Sequence, residues 1–173
     1  DRRLLPAEEA AVRQALESPQ RRDPALTLLV DLSLDTGLRL SEAYRLRWDQ
    51  VDLARGVLRV EGSKGHRGVL KPRVVPLKPV LREKLRGGGE GLVFPFWDGT
   101  PEGREKTSSK LSVRLGALFD SAGVKDFTAH DMRHEAACRW FELRDAAGRW
   151  LFSDVEICRI MGWSNLSMVL RYA

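Results

Sequence analysis

The sequence is poor in the residues that build disulfides and metal sites. It has only 2 cysteines, 3 histidines and 2 tyrosines in 173 residues. Cys138 and Cys158 lie among apolar residues on predicted helices, and neither has a partner at CxxC spacing. We therefore predict reduced, mostly buried thiols in a cytoplasmic protein. No cluster of His, Cys, Asp and Glu has the spacing of metal ligands, so no metal site is predicted.

Long apolar segments and phosphate-binding loops are also missing. No run of about 18 apolar residues suggests a membrane span, and no charged-then-apolar signal peptide opens the chain. The glycine-rich stretch RGGGEG (86–91) lacks a following GK[ST], which excludes a P-loop. The length predicts a single domain spanning 1–173. The opening DRRLLPAEEA is typical of a fragment cut from a longer protein.

Lysine is scarce compared with arginine. Of the 29 basic residues, 22 are arginine and 7 are lysine, and the net charge is +5. Arginine binds phosphate oxygens in pairs through its fork of N–H groups, so this bias fits a polyanionic partner. Codon composition explains it equally well, because Ala, Gly and Leu are also frequent.

The pattern of apolar residues predicts a mainly helical domain with a small antiparallel β-sheet. PAEEAAVRQALES and PALTLLVDLSLDTG read as helices, and Ser41 reads as the cap of a third. GVLRVEG and GVLKPRVVPL read as strands, and Pro72 marks the second as an edge strand or a bulged one. Thr128 and Ser153 each begin a capping box, and Ser164 is a candidate cap for a last helix.

Three short motifs are candidates for chemistry. TGLRLSE places Arg39 at a junction between two helices. TAHDMRH places His130 and Arg133 on one face at a capped helix start, where free N–H groups favour an anion. MGWSNLSMVLRY places Trp163 nine residues before Tyr172. Each motif also has an explanation without a catalytic role. The first could be a solvated loop arginine, the second a charged helix surface, and the third a core tryptophan beside an unrelated tyrosine.

Taken together, these motifs resemble the catalytic domain of the tyrosine recombinases, the phage-integrase family, nearly from end to end. The family's TGxRxxE stretch is matched by Arg39 and Glu42. Its HxxRH motif is matched by His130 and Arg133, with His134 following. The resemblance implies the mainly α fold of that catalytic domain.

The rest of the family pattern is matched with three departures. An LGH or LGW motif nine residues before the nucleophilic tyrosine is matched by Met161-Gly162-Trp163 and Tyr172, with Trp in place of the commoner His. Lys64, in SKG, matches the lysine of the β2–β3 hairpin. That segment is longer than usual, so Lys71 remains a second candidate. Residues 144–152 look like a surface insertion.

The resemblance implies attack of Tyr172 on a DNA phosphodiester. Arg39 and Arg133 would neutralise charge on the non-bridging oxygens. His130 would accept the phenol proton, because a phenol with a pKa of about 10 is mostly neutral at pH 7. Lys64 would protonate the leaving 5′-oxygen.

Two further roles follow for residues around that centre. Trp163 can hold a phosphate oxygen through Nε1–H but cannot shuttle a proton. Glu42 would orient Arg39 or His134 without taking part in the chemistry.

The predicted function is that of a site-specific recombinase, or integrase, that works through a 3′-phosphotyrosyl intermediate. No cofactor is required, because the covalent link conserves the bond energy. The predicted partner is double-stranded DNA, bound by a nucleoid-associated homotetramer, with the isolated fragment a monomer. The N-terminal core-binding domain and C-terminal tail of the family are expected to be absent. Alternatives are a type IB topoisomerase, a telomere resolvase, or a degenerate integrase that only binds DNA.

Overall fold

The computed structural model describes residues 1–62 and 72–172. Helices dominate this part of the chain, as predicted. Their bounds are α1 Pro6–Glu17, α2 Pro24–Thr36, α3 Leu40–Tyr44, α4 Pro79–Lys84, α5 Gly103–Ser121, α6 Ala129–Glu142 and α7 Asp154–Met161. Two short 3-10 helices cover Trp48–Gln50 and Leu166–Arg171. Within the described ranges, no helix has both the length and the apolar character that a membrane crossing needs.

A small antiparallel sheet lies between α3 and α4. Its strands are β1 Val51–Asp52, β2 Val57–Val60 and β3 Arg73–Pro76, paired in the order β1-β2-β3. Val60 pairs with Arg73 at the end of the ladder. The mainly α fold class with a small antiparallel sheet is therefore confirmed, and β3 is an edge strand of the described sheet, as Pro72 predicts.

The later helices begin where their capping residues predict. The Thr128 hydroxyl accepts from the Asp131 N–H, and the Asp131 carboxylate accepts from the Thr128 N–H. Ser153 and Glu156 make the same reciprocal pair at the start of α7. Each box satisfies N–H groups that a helix start leaves without partners.

Helix α2 forms the centre of the core and packs along α6. Its side chains are buried on most faces, and the indole of Trp140 on α6 donates to the carbonyl of Thr36. Gly37 ends α2 with φ at 78°, and a Cβ there would lie 2.9 Å from the Met161 side chain and 3.3 Å from Ala136. Helices α2, α6 and α7 therefore approach one another closely around Gly37.

Two helix starts differ from the sequence predictions. Helix α3 begins at Leu40 with Arg39 as its cap residue, and not after Ser41. The Glu42 carboxylate decides this, because it accepts from the Arg39 N–H. The final segment is a 3-10 helix capped by Asn165, whose side-chain oxygen accepts from the Ser167 N–H, and not a helix capped by Ser164.

The predicted insertion at 144–152 forms a tight turn. The Asp145 N–H donates to the Arg149 carbonyl at 2.8 Å, and Arg144 pairs with Trp150 as an isolated bridge. Trp150 is exposed. The segment therefore projects between α6 and α7 without changing the order of the motifs.

Candidate active site

Arg39 stands at the junction of α2 and α3. Its backbone is fixed, since its N–H donates to Glu42 Oε1 at 2.8 Å. Its side chain is 40% exposed, and Nη1 lies 3.7 Å from Glu42 Oε2, beyond hydrogen-bond distance. The guanidinium is thus held at its base and keeps its donors for another group.

Glu42 is buried and forms a two-point ion pair with Arg73 of β3. Arg73 Nη1 donates to Oε2 at 2.6 Å and Nη2 to Oε1 at 2.9 Å, while Nε donates to the Ile160 carbonyl at 2.8 Å. Burial would raise the pKa of Glu42, but the hydrogen bonds and charge of Arg73 outweigh it and lower that pKa. Of the two partners predicted for Glu42, the structure places Arg39 beside it.

Arg73 is a site residue that the sequence analysis missed. A buried glutamate needs a cationic partner, and the sequence predicted only Arg39 or His134 as residues that Glu42 would contact. Nothing local in the sequence selects one arginine among 22, because the pairing joins residues 31 positions apart.

Arg133 lies on the first turns of α6 and is almost fully buried. It donates to the carbonyls of Gly37 at 2.5 Å and Met161 at 2.6 Å, and so ties the end of α2 to the end of α7. Two of its five donors are used there, which leaves three. Burial, followed by the charges of Arg39 and Arg73, lowers the pKa of Arg133 to about 9, so it stays protonated at pH 7.

The two histidines of HDMRH have different surroundings. The side chain of His130 is 73% exposed, whereas that of His134 is 14% exposed. His134 Nε2 lies 3.7 Å from the Cys138 sulfur, and its buried Nδ1 has no hydrogen-bond partner in the described residues. Burial lowers the pKa of His134 below its ordinary value, which favours the neutral imidazole.

Three of the predicted residues line a single groove. Arg39, His130 and Arg133 come from separate motifs and meet there. Three serines and apolar groups complete the walls, namely Ser41, Ser108, Ser112, Leu38, Leu40 and Ala129. The groove therefore presents two guanidiniums and an imidazole to whatever occupies it.

Tyr172 follows the last 3-10 helix and packs in an aromatic cluster that we define as His134, Phe141, Trp163 and Tyr172. The Tyr172 ring centroid lies 5.0 Å from that of His134, 5.3 Å from Trp163 and 5.4 Å from Phe141. Burial and the nearby Cys138 raise the pKa of Tyr172, and the charge of Arg133 opposes them. Trp163 Nε1 donates to no described residue.

Phe141 is the second site residue that the sequence analysis missed. It stacks on Tyr172 with an angle of 22° between the ring planes, and at the same angle on Trp163. It lies seven positions after His134 on α6, so both side chains share one helix face. That periodicity is the sequence signal that could have found it.

The two candidate lysines, Lys64 and Lys71, lie outside the described residues. Arg73, a described residue of β3, follows Lys71 by two positions. Its ion pair with Glu42 holds the start of β3 beside the groove.

Comparison with known proteins identifies the family of this chain. Residues 2–173 match the model of the phage integrase family. The shufflon-specific DNA recombinase of Escherichia coli is 30% identical over 173 residues, covering 99% of this chain and 40% of that protein. The tyrosine recombinase XerA of Thermococcus kodakarensis is 33% identical over 161 residues, covering 88% of this chain and 51% of that protein.

The same fold occurs in a solved complex. The Tn1549 transposon integrase bound to transposon right end DNA has a TM-score of 0.71 and 20% identity, with 99% of this chain and 60% of that chain covered. This chain spans about half or less of the length of the two curated relatives. It has the tyrosine recombinase catalytic-domain fold and belongs to the phage integrase family.

Proposed function

We propose that this chain supplies the catalytic centre of a site-specific DNA recombinase. The Tyr172 oxygen attacks a DNA phosphodiester, forms a 3′-phosphotyrosyl bond and releases a 5′-hydroxyl. A 5′-hydroxyl then attacks that bond, which restores the phosphodiester and frees Tyr172. The observation that carries the proposal is the groove shared by Arg39, His130 and Arg133, with Tyr172 packed on His134, the residue that follows Arg133 in the chain.

The two groove arginines suit a five-coordinate phosphorus. Negative charge accumulates on the non-bridging oxygens as Tyr172 attacks, and paired N–H donors stabilise it most in that state. Arg133 is rigid because backbone carbonyls hold it at two points, and Arg39 is fixed through its backbone. Loss of one such donor set costs about 3–4 kcal/mol of barrier.

The attacking phenol must lose its proton. Its surroundings favour the neutral form, since burial raises the pKa of Tyr172. In the proposed scheme His130, in the groove, accepts this proton as the sequence motif implies. The imidazole that lies against the Tyr172 ring is that of His134, which makes His134 a second candidate. Lys64, or Lys71 as the alternative, protonates the leaving 5′-oxygen.

The proposed partner is double-stranded DNA, recognised by a homotetramer at the nucleoid. The excess of arginine over lysine supports a phosphate-rich partner. The Tn1549 integrase, which has the same fold, was solved with its transposon end DNA. The scheme needs no cofactor, since the phosphotyrosyl bond retains the energy used in rejoining.

Covalent trapping tests this function. The full-length protein is incubated with duplexes taken from the DNA that flanks its gene, each nicked a few nucleotides to the 3′ side of the candidate cleavage position, so that the short fragment carrying the released 5′-hydroxyl diffuses away. We expect an SDS-resistant protein–DNA adduct that Tyr172→Phe abolishes and Tyr44→Phe leaves intact. An equal yield from Tyr172→Phe contradicts the proposal.

Two further outcomes identify the alternatives. Binding of the flanking DNA without any adduct indicates a non-catalytic DNA-binding module. An adduct together with relaxation of supercoiled plasmid, but no exchange between two sites, indicates a topoisomerase activity.

A further inference from the structure

Two arginines compete for one buried carboxylate beside the groove. The side chain of Glu42 is 1% exposed, that of Arg73 is 6% exposed and that of Arg39 is 40% exposed. Arg73 holds both Glu42 oxygens, at 2.6 and 2.9 Å, whereas the nearest Arg39 nitrogen stays 3.7 Å away. The carboxylate thus pairs with the arginine that faces the interior.

This choice of partner matters because Glu42 and a phosphodiester are rival acceptors for Arg39. A carboxylate offers about four lone-pair positions. Arg73 fills two of them and the Arg39 backbone N–H fills a third. Without Arg73, a buried and unpaired Glu42 would draw the Arg39 guanidinium onto itself, because an uncompensated buried charge is costly.

Arg73 is also prevented from leaving Glu42. Its Nε donates to the carbonyl of Ile160 on α7, and its backbone belongs to β3, where it pairs with Val60. A Cβ at Gly162 would lie 3.1 Å from Arg73 Nη1, so the chain after α7 closes over the guanidinium. Its fork is held from three sides at the position where it meets Glu42.

We propose that Arg73 is a positioning residue that occupies Glu42 and thereby leaves the Arg39 guanidinium free to bind the scissile phosphodiester. The inference rests on the proposed recombinase function for the identity of that phosphodiester. The competing explanation is that Arg73 only ties β3 to α7, with no effect on Arg39.

The test compares four variants of the full-length protein with wild type. They are Arg73→Met, Glu42→Gln, the double variant of these two, and Arg86→Met as a matched control, which breaks an exposed Arg–Glu pair on the surface. The readout is the single-turnover rate of adduct formation on saturating nicked duplex. Thermal unfolding gives the folded fraction, so that each rate is expressed per folded molecule.

We expect Arg73→Met to lower the rate roughly 100-fold, comparable to loss of a preorganised donor. Glu42→Gln keeps an oxygen for the Arg39 N–H but removes the charge that captures the guanidinium. The double variant should therefore react at least about 10-fold faster than Arg73→Met alone. Arg86→Met should react at the wild-type rate.

A second comparison uses the Arg39→Ala background. If Arg73 acts through Arg39, adding Arg73→Met there should change the rate less than about twofold, because coupled residues are non-additive. Full additivity, or no rescue by Glu42→Gln, overturns the inference in favour of a purely structural tie.

Two remaining outcomes are also informative. If Arg73→Met does not fold, Arg73→Lys replaces it, since one ammonium keeps the charge but loses the two-point contact. A wild-type protein that forms no adduct overturns the proposed function itself. An active wild type with an unaffected Arg73→Met overturns only the positioning role.

Discussion

The ring of Tyr172 lies against the imidazole of His134, with centroids 5.0 Å apart and an angle of 30° between the planes. The candidate nucleophile is therefore packed into the domain and does not project from its end. Burial lowers the pKa of the neighbouring His134, which favours its neutral imidazole. The half-buried phenol lies beside an imidazole, and the positive charge of Arg133 favours its phenolate form.

The aromatic cluster predicts a role for Phe141 in holding Tyr172. Phe141→Ala removes a stacked ring worth about 1 kcal/mol, so the cleavage rate should fall roughly fivefold. Less burial should also lower the pKa of Tyr172 and move the pH–rate profile to lower pH. Single-turnover cleavage across pH measures both effects. Phe152→Ala, which removes a ring packed on Trp140 instead, should leave the profile unchanged.

Substitution by lysine should affect stability at Arg133 but not at Arg39. Arg133→Lys cannot donate to Gly37 and Met161 in the same geometry, so it should lose about 1–3 kcal/mol of stability as well as cleavage activity. Arg39→Lys should lose cleavage by about 100-fold with little change in stability, since its ion pair is long and partly exposed. Urea unfolding measures the loss of stability in each variant, and the rate of adduct formation measures the loss of cleavage activity. Equal stability losses would contradict the bracing role of Arg133.

The burial of His134 predicts an acid-sensitive component of stability. Its folded-state pKa is depressed, so the unfolded chain binds the proton first as the pH falls. This contribution is fully present above the ordinary pKa of about 6.5 and is lost as the pH falls through the lower folded-state value. His134→Gln should therefore show a smaller loss of unfolding free energy than wild type between pH 7 and pH 5. His130→Gln, an exposed histidine on the same helix, is the control.

A pocket beside the groove predicts contacts with the DNA backbone. Arg45 and Arg104 line it with Trp97, and burial followed by the charge of Arg104 lowers the pKa of Arg45. A phosphate bound in this pocket would offset the repulsion that Arg104 exerts on the charged form of Arg45. Arg45→Ala or Arg104→Ala should reduce the slope of log K against log salt by about 1, equally for all DNA sequences. Arg82→Ala, on α4, should leave the slope unchanged.

Local signals in the sequence predicted the helices α1, α2, α6 and α7 and the charged residues of the groove. The boxes at Thr128 and Ser153 mark helix starts because a side chain three residues on completes each one. Arg39, His130 and Arg133 were recognised from short motifs, and the fold brings them to one groove. The start of α3 was misplaced because Ser41 is a good cap, while the actual start is set by Glu42 reaching back to Arg39.

Long-range pairings account for what the sequence could not provide. Arg73 meets Glu42 through tertiary packing across 31 positions of the chain, and no periodicity within β3 or α3 encodes that choice. The Phe141–Tyr172 stack likewise depends on how the segment after α7 returns to α6. The sequence identifies Arg73 as a strand residue without showing its partner, and it places Phe141 on the helix face of His134 without showing that Tyr172 packs there.

We expect Tyr172, held in the aromatic cluster, to be the residue that becomes covalently joined to DNA. Trapped adducts are digested with nuclease and protease, and the peptides are sequenced by mass spectrometry. We expect a nucleotide 3′-phosphate attached to the peptide that contains Tyr172, and none attached to Tyr44. A phosphate on Tyr44, on a serine of the groove, or on a residue outside the cluster would contradict it.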